Sequence, residues 1–208
     1  MQRTPIRNPE KDHLLTPKNS VIVFIDYQPE QFEGVTSRRQ DELMLNVIAL
    51  GKIAREFSIP TILTTVGVAL GVNRGTIPEL KDALHDVKAI DRTTLNAWED
   101  EEFHKAVKQT GKKKIIMTGL WTEVCVAFPT LDALYDDYEV YPVADAIGGV
   151  TLETHQTAMN RMIQAGACPI STVALACELQ RDWARGNGDS LRKIMRWYFQ
   201  EFDKLNRT

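Results

Sequence analysis

The chain has 208 residues, an apolar fraction of 43% and a charged fraction of 25%, as expected for a globular domain with a sizeable core. Its net charge of −3 and its lack of a long basic run argue against nucleic acid as a partner, because phosphate binding needs clustered cations. No apolar stretch reaches the roughly 20 residues that a membrane span needs, so we expect no membrane segment.

The cysteines and histidines argue against a disulfide framework and a metal site. The three cysteines, Cys125, Cys168 and Cys177, form no CxxC pair and leave one thiol over, which indicates a reducing, cytoplasmic location. The four histidines show no ligand pairing. Neither GxGxxG nor GxxxxGK[ST] occurs, so dinucleotide and P-loop sites lack their usual support. We therefore expect no metal and no cofactor.

Short apolar and β-branched runs predict the strands of a parallel sheet. Clear strands are expected at 20–25, 61–66, 114–118 and 139–144, and a weaker fifth at 169–174. Another short apolar run lies at 87–90 and precedes Arg92. Because the clear strands are almost continuously apolar, we expect both faces of the sheet to be covered by helices.

Amphipathic stretches between these runs predict the helices. They lie at about 41–57, 99–110, 125–137, 151–165 and 175–185. The alternation of strand and helix is typical of βαβ units. The predicted fold class is therefore α/β, a three-layer, doubly wound and mainly parallel sheet with helices on both faces.

The predicted organisation is one domain over residues 1–185, followed by a helical extension over 186–208. The extension carries too many aromatic and aliphatic residues for a free tail. We expect it to pack on the domain or on a neighbouring subunit, and we favour the subunit contact. The Gly-rich segment 67–78 is expected to form a mobile loop over the sheet edge.

Polar residues that follow strands mark the expected ligand site, because open α/β sheets bind ligands at the carboxyl ends of their strands. Asp26, Arg92 and Cys125 occupy such positions. A cysteine at a helix N-terminus is favoured as a thiolate by the helix dipole. Each residue also has an ordinary structural interpretation: Cys125 as a small buried apolar residue, Asp26 as a cap or loop ion pair, and Arg92 as a surface cation.

The run from Thr118 to Ala133, Thr-Gly-Leu-Trp-Thr-Glu-Val-Cys-Val-Ala-Phe-Pro-Thr-Leu-Asp-Ala, resembles the nucleophile motif of the isochorismatase-like cysteine hydrolases. That motif is a strand, then Gly-x-x-Thr-Asp/Glu-x-Cys-Val, then a helix with Asp-Ala. Further matching pieces at 25–28, 60–65, 96–100 and 145–146 follow the family's order. The run at 176–183, Ala-Cys-Glu-Leu-Gln-Arg-Asp-Trp, is similar to the YcaC-related branch.

The resemblance implies a catalytic triad of Asp26, Arg92 and Cys125, with Arg92 where most members have Lys. It also implies a cis peptide between Leu120 and Trp121, so that the N–H groups of Trp121 and Cys125 form an oxyanion hole. We place Trp98 either beside the substrate pocket or in the plain core. A small-molecule substrate and a homo-oligomer, of unspecified subunit number, are also implied.

The predicted function is hydrolysis of a small amide or related C–N or acyl substrate. The alternative is a catalytically silent binding or scaffold protein, which the arginine at the usual lysine position favours. A metal-dependent nicotinamidase is disfavoured because residues 64–70 contain no histidine. A flavodoxin-like nucleotide binder is disfavoured because the acidic run Asp-Tyr-Gln-Pro-Glu follows the first strand.

Overall fold

The structure is a computed structural model that describes residues 5–207. Its strands are β1 (Ser20–Ile25), β2 (Thr61–Val66), β3 (Ala89–Arg92), β4 (Lys114–Gly119) and β5 (Glu139–Pro142). They form one parallel sheet in the order β3-β2-β1-β4-β5. The predicted doubly wound α/β fold is confirmed.

Helices connect these strands and cover the sheet. They are α1 (Pro29–Glu33), α2 (Gln40–Glu56), α3 (Pro78–Ala83), α4 (Glu101–Gln109), α5 (Ala127–Tyr135), α6 (Leu152–Gln164), α7 (Thr172–Gln180) and α8 (Gly188–Leu205). A 3₁₀ turn at Ala97–Glu99 precedes α4, and a π-helical turn at Thr122–Val126 precedes α5.

The central strand β1 shows why the chain needs helices on both faces. All six of its residues are buried. Ile22 and Phe24 pack in one core with residues of α2, α3, α7 and α8, whereas Val21, Val23 and Ile25 pack in a second core with residues of α4, α5 and α6. Burial of each of these apolar side chains stabilises the fold by roughly 1.5–3 kcal/mol.

The expected strand at 169–174 is wrong. Ile170 forms only an isolated bridge with Val143, and the helix α7 already begins at Thr172. The carboxylate of Asp145 explains the early start, since it accepts hydrogen bonds from the Thr172 N–H and hydroxyl, both at 2.8 Å. The fifth strand is β3, which includes part of the apolar run at 87–90 and ends on Arg92.

Helix ends also differ from the prediction. Helix α7 ends at Gln180 rather than near 185, because Arg181 adopts a left-handed conformation with φ +59°. Helices α1 and α3 were not predicted. Each has only five or six residues and begins with a proline, so neither is long enough to show helical periodicity.

The C-terminal extension forms α8, which packs across α2. Leu191, Met195 and Tyr198 are buried in this contact, and the Tyr198 hydroxyl donates to Oδ1 of Asn46 at 2.8 Å. The side chains of Phe199 and Phe202 face outward and are 51% and 38% exposed. Helix α8 therefore covers the domain, while the favoured subunit contact stays a prediction. Within residues 5–207, no helix combines the length and apolar character needed to cross a bilayer.

Candidate active site

Asp26 lies at the carboxyl end of the central strand. The chain turns sharply there, with a φ of +57° that aspartate tolerates better than most residues. The Asp26 N–H donates to the Thr64 carbonyl at 3.2 Å, and the Asp26 carbonyl accepts from the Gln28 N–H at 2.8 Å. Asp26 is completely buried. Because β1 has β2 on one side and β4 on the other, Asp26 occupies the switch point at which such sheets bind ligands.

Arg92 reaches Asp26 from two strands away. It is the last residue of β3, and β2 lies between β3 and β1 at a spacing of about 4.8 Å per strand. The guanidinium forms an ion pair with the Asp26 carboxylate and also donates to the Thr94 carbonyl. Thr64 on β2 donates its hydroxyl to Oδ1 of Asp26 at 3.0 Å. Three adjacent strands thus build one buried charge pair.

Cys125 completes this group from the other side of β1. It lies in the π-helical turn between β4 and α5. In this turn the Ala127 N–H bonds to the Thr122 carbonyl, five residues back, and Pro129 offers no N–H to the Cys125 carbonyl. The charges of both Asp26 and Arg92 act on the pKa of the thiol. The structure therefore brings the three predicted triad residues together.

The buried surroundings of Cys125 disfavour its thiolate form. Burial raises its pKa to about 12, the negative charge of Asp26 contributes in the same direction, and the positive charge of Arg92 opposes them. This direction opposes the thiolate that a helix N-terminus favours, so the thiolate stays a prediction. Only 6% of Cys125 is exposed. The loss of hydration therefore raises the pKa of the thiol by more than the helix N-terminus lowers it.

The pKa of the Asp26 carboxyl is also raised. Burial is the main cause, and it outweighs the lowering effects of the Arg92 charge and of the hydrogen bonds from Cys125 and Thr64. A carboxylate with a raised pKa is a stronger proton acceptor than an exposed one. Asp26 and Cys125 therefore form a donor–acceptor pair suited to proton transfer.

Leu120 and Trp121 contribute backbone to the site. Their peptide bond is cis, as the resemblance implied. The Leu120 side chain is buried in the core, while its N–H donates to the Ile25 carbonyl at 3.0 Å. The Trp121 indole donates to the Gln31 carbonyl at 2.8 Å and packs over Gly34, where a Cβ would lie 2.5 Å from the ring. The Trp121 N–H has no acceptor among residues 5–207.

Trp98 is buried in the core. Its indole donates to Oδ2 of Asp136 at 3.0 Å and packs on Phe103 and Tyr138. Asp136 follows the end of α5 that is remote from Cys125. These contacts give Trp98 a core role, and its role beside the substrate pocket stays a prediction.

A set of contacts that sequence reasoning missed holds the π-helical turn that carries Cys125. The Thr122 N–H donates to the Gly148 carbonyl at 2.9 Å, and the Thr122 hydroxyl bonds to Nδ1 of His155 at 2.8 Å. Glu123 accepts from the Val150 N–H at 2.9 Å. Burial, helped by the charge of Arg38, lowers the pKa of His155 and keeps it neutral. The Thr-Glu pair of the motif was the available signal for these contacts.

Thr64 was also missed as a site residue. The sequence contained a sign of this role, because Thr64 is a hydroxyl-bearing residue within a buried strand. A threonine there needs a hydrogen-bond partner, and the partner is the Asp26 carboxylate. The sequence could not identify that partner, because the register of β1 against β2 aligns Thr64 with Ile25 only after folding.

Comparisons with known proteins agree with this fold. The family model of the Isochorismatase domain matches residues 20–174. The Escherichia coli protein named "Probable hydrolase YcaC" is 42% identical over 170 residues, which cover 81% of each chain. A YcaC structure from Pseudomonas aeruginosa, with hexane-2,5-diol and covalent acrylamide, has a TM-score of 0.84 at 37% identity and covers 93% of this chain and 98% of its own.

The crystal structure of the Escherichia coli YcaC gene product, described as an octameric hydrolase of unknown specificity, is similarly close. Its TM-score is 0.80 at 38% identity, and the match covers 91% of this chain and 98% of the other. The family match spans most of the chain, and the relatives align over nearly their whole length. The chain therefore belongs to the isochorismatase family of hydrolases and is related to YcaC within it.

Proposed function

We propose that the protein is a cysteine hydrolase that acts on a small amide or a related C–N or acyl substrate. Cys125 is the nucleophile, Asp26 the base, and Arg92 a fixed positive charge in the usual lysine position. One observation carries the proposal: residues from three separated chain segments meet in one buried group at the switch point of the sheet.

The proposed reaction begins when Asp26 takes the thiol proton as Cys125 attacks the substrate carbonyl. The N–H groups of Trp121 and Cys125 stabilise the oxyanion. Asp26 then returns the proton to the leaving amine as the C–N bond breaks and a thioester forms. Water, deprotonated by Asp26, hydrolyses the thioester, and the proton returns to the thiol.

Arg92 has an electrostatic role in this mechanism. A guanidinium does not deprotonate in a protein, so Arg92 takes no part in proton transfer. Its charge opposes the effect of burial on the pKa of Asp26 and keeps a carboxylate available as the base. The same charge lowers the pKa of Cys125 and so helps to form the thiolate during attack.

The Pseudomonas aeruginosa relative carries covalent acrylamide. This adduct supports a site that small electrophiles can reach, and it supports the choice of a small amide as substrate.

A catalytically silent binding or scaffold protein is the second candidate function. Arg92 at the lysine position and the near-complete burial of Asp26, Arg92 and Cys125 favour it.

A panel of small amides, assayed with wild-type protein and the Cys125→Ala variant, tests the proposal. We expect wild-type turnover of at least one amide and a loss of at least about 10³-fold in the variant, because the covalent route disappears. Cys168→Ala is the matched control, since Cys168 is free and exposed. Unchanged turnover by Cys125→Ala would exclude the mechanism, and a wild-type protein inert to every amide would favour the scaffold.

We also propose that the chain forms a homo-oligomer. The Escherichia coli relative is octameric, and helix α8 leaves Phe199 and Phe202 exposed. A reducing, cytoplasmic location fits the three free cysteines, Cys125, Cys168 and Cys177.

A further inference from the structure

A cavity of about 490 Å³ lies near the amino end of β1, on the edge of the sheet opposite Cys125. Its walls come from the N-terminal segment 5–18, from Phe57 after α2 and from residues 179–187 between α7 and α8. Small-molecule sites have volumes in this range. The proposed hydrolase mechanism makes no use of this cavity.

The lining of the cavity is cationic. Arg7, Lys18, Arg181 and Arg185 line it, and Asp12 is its one acidic residue. Arg181 lies 3.7 Å from the Asp12 carboxylate and donates to the Leu15 carbonyl at 3.2 Å. Within residues 5–207, Arg7, Lys18 and Arg185 form no ion pair. Arg7 also interacts with the Asp12 carboxylate through its charge. The excess of positive charge in the lining favours an anionic ligand.

Two buried polar atoms at the cavity lack partners. Gln180 is 3% exposed, and its Nε2 donates to the Asp182 carbonyl at 2.7 Å. Its Oε1 has no hydrogen-bond partner, and neither has Nε of Arg185, among the residues that the structure describes. Buried polar groups are normally satisfied, so this pair indicates a ligand that offers both a donor and an acceptor.

We propose that this cavity binds a small 2-hydroxycarboxylate with an apolar substituent. The carboxylate accepts hydrogen bonds from Arg185 and is attracted by Lys18, and the hydroxyl donates to Oε1 of Gln180. The apolar substituent packs against Phe57 and Leu179, which supply the apolar part of the wall. The site is separate from the catalytic group and does not depend on the hydrolase function.

Mandelate is a suitable probe because it combines a carboxylate, a 2-hydroxyl and a phenyl ring. We expect calorimetry on the full chain, with Cys125 alkylated, to show saturable binding. Arg185→Gln should weaken binding by about tenfold or more, since it removes a charge-assisted hydrogen bond. Lys105→Gln is the matched control, because it removes one charge from the exposed surface of α4.

Phenylacetate tests the role of the hydroxyl. It lacks only that group, so we expect wild-type protein to bind it about fivefold or more weakly than mandelate. Gln180→Leu should remove this preference. If that variant does not fold, the comparison of the two ligands on wild-type protein still decides the point. The proposal fails if mandelate does not bind, if Arg185→Gln binds it as well as wild type, if phenylacetate binds equally well, or if alkylation of Cys125 abolishes binding.

Discussion

At the scale of single residues, the site depends on one buried ion pair beside one buried thiol. Asp26 and the Arg92 side chain are inaccessible to solvent. Each needs the opposite charge of the other, because an unpaired charge in the protein interior strongly destabilises the fold. Burial and the Asp26 charge both disfavour the thiolate of Cys125. Under the proposed mechanism, the attack on the substrate and the proton transfer to Asp26 therefore occur together.

Alkylation of Cys125 by iodoacetamide should have an unusual pH dependence. A free thiol titrates near pH 8.5, whereas the pKa of about 12 predicts a rate that keeps rising beyond pH 10. Asp26→Asn removes a charge that raises this pKa, so its curve should move to lower pH even though turnover is lost. Peptide mass spectrometry at each pH measures both curves. A wild-type rate that levels off near pH 8.5 would contradict the prediction.

Substitutions of Arg92 separate its charge from its shape. Arg92→Met leaves the buried Asp26 carboxylate unpaired and should lower the free energy of unfolding by about 3–5 kcal/mol. Arg92→Lys retains the charge but loses the planar fork that bonds both Asp26 and the Thr94 carbonyl. It should therefore cost less stability and keep more amide turnover. Urea denaturation and turnover assays test this order, and equal losses in the two variants would refute it.

At the scale of elements, the position of the π-helical turn that carries Cys125 depends on the close approach of β4 to β1. Gly119, the last residue of β4, has a φ of +158°, and a Cβ there would lie 2.7 Å from the Ile25 carbonyl oxygen. Only glycine permits this approach. The next residue, Leu120, donates its N–H to the same Ile25 carbonyl. The end of β4 therefore positions the cis peptide and the π-helical turn relative to Asp26.

Gly119→Ala should separate the ends of β4 and β1. The added methyl group meets backbone rather than a flexible side chain, so we expect a loss of roughly 1–3 kcal/mol in the free energy of unfolding. We also expect slower alkylation of Cys125. Gly75→Ala is the control, because a Cβ at that position meets nothing within 4 Å. Urea denaturation gives the midpoint of each variant. Equal midpoints would show that the close approach of β4 to β1 contributes nothing to stability.

At the scale of the whole molecule, two cores lie on opposite faces of one sheet. The site occupies the carboxyl edge of that sheet and the cationic cavity occupies the amino edge. Helix α8 completes one face by packing on α2, and its outward aromatic residues are the best candidates for contact with another subunit.

Replacing both Phe199 and Phe202 by serine should weaken self-association. These side chains are 51% and 38% exposed in the single chain, so their loss costs little core packing but removes apolar area from the proposed interface. Light scattering after size-exclusion chromatography measures the mass. Tyr135→Ser is the control, because Tyr135 is an 89% exposed aromatic residue on α5. An unchanged assembly in the double variant would place the interface elsewhere.

The sequence by itself determined the features that depend on neighbouring residues. Runs of apolar and β-branched residues identified β1, β2 and β4, because a strand buried on both faces is built mainly from such residues. The positions of Asp26 and Cys125 after β1 and β4 marked them as candidates. The short strand β3 and the start of α7 were not determined in this way, since a few residues carry too little periodicity.

Only the tertiary structure decided how these candidates interact. The Arg92 side chain reaches Asp26 because β3, β2 and β1 are adjacent in the sheet. Burial is the main cause of the raised pKa of Cys125, and Trp98 lies in the core, where its indole donates to Asp136. Desolvation and through-space charge depend on residues that are distant in the chain, so no local pattern could report them.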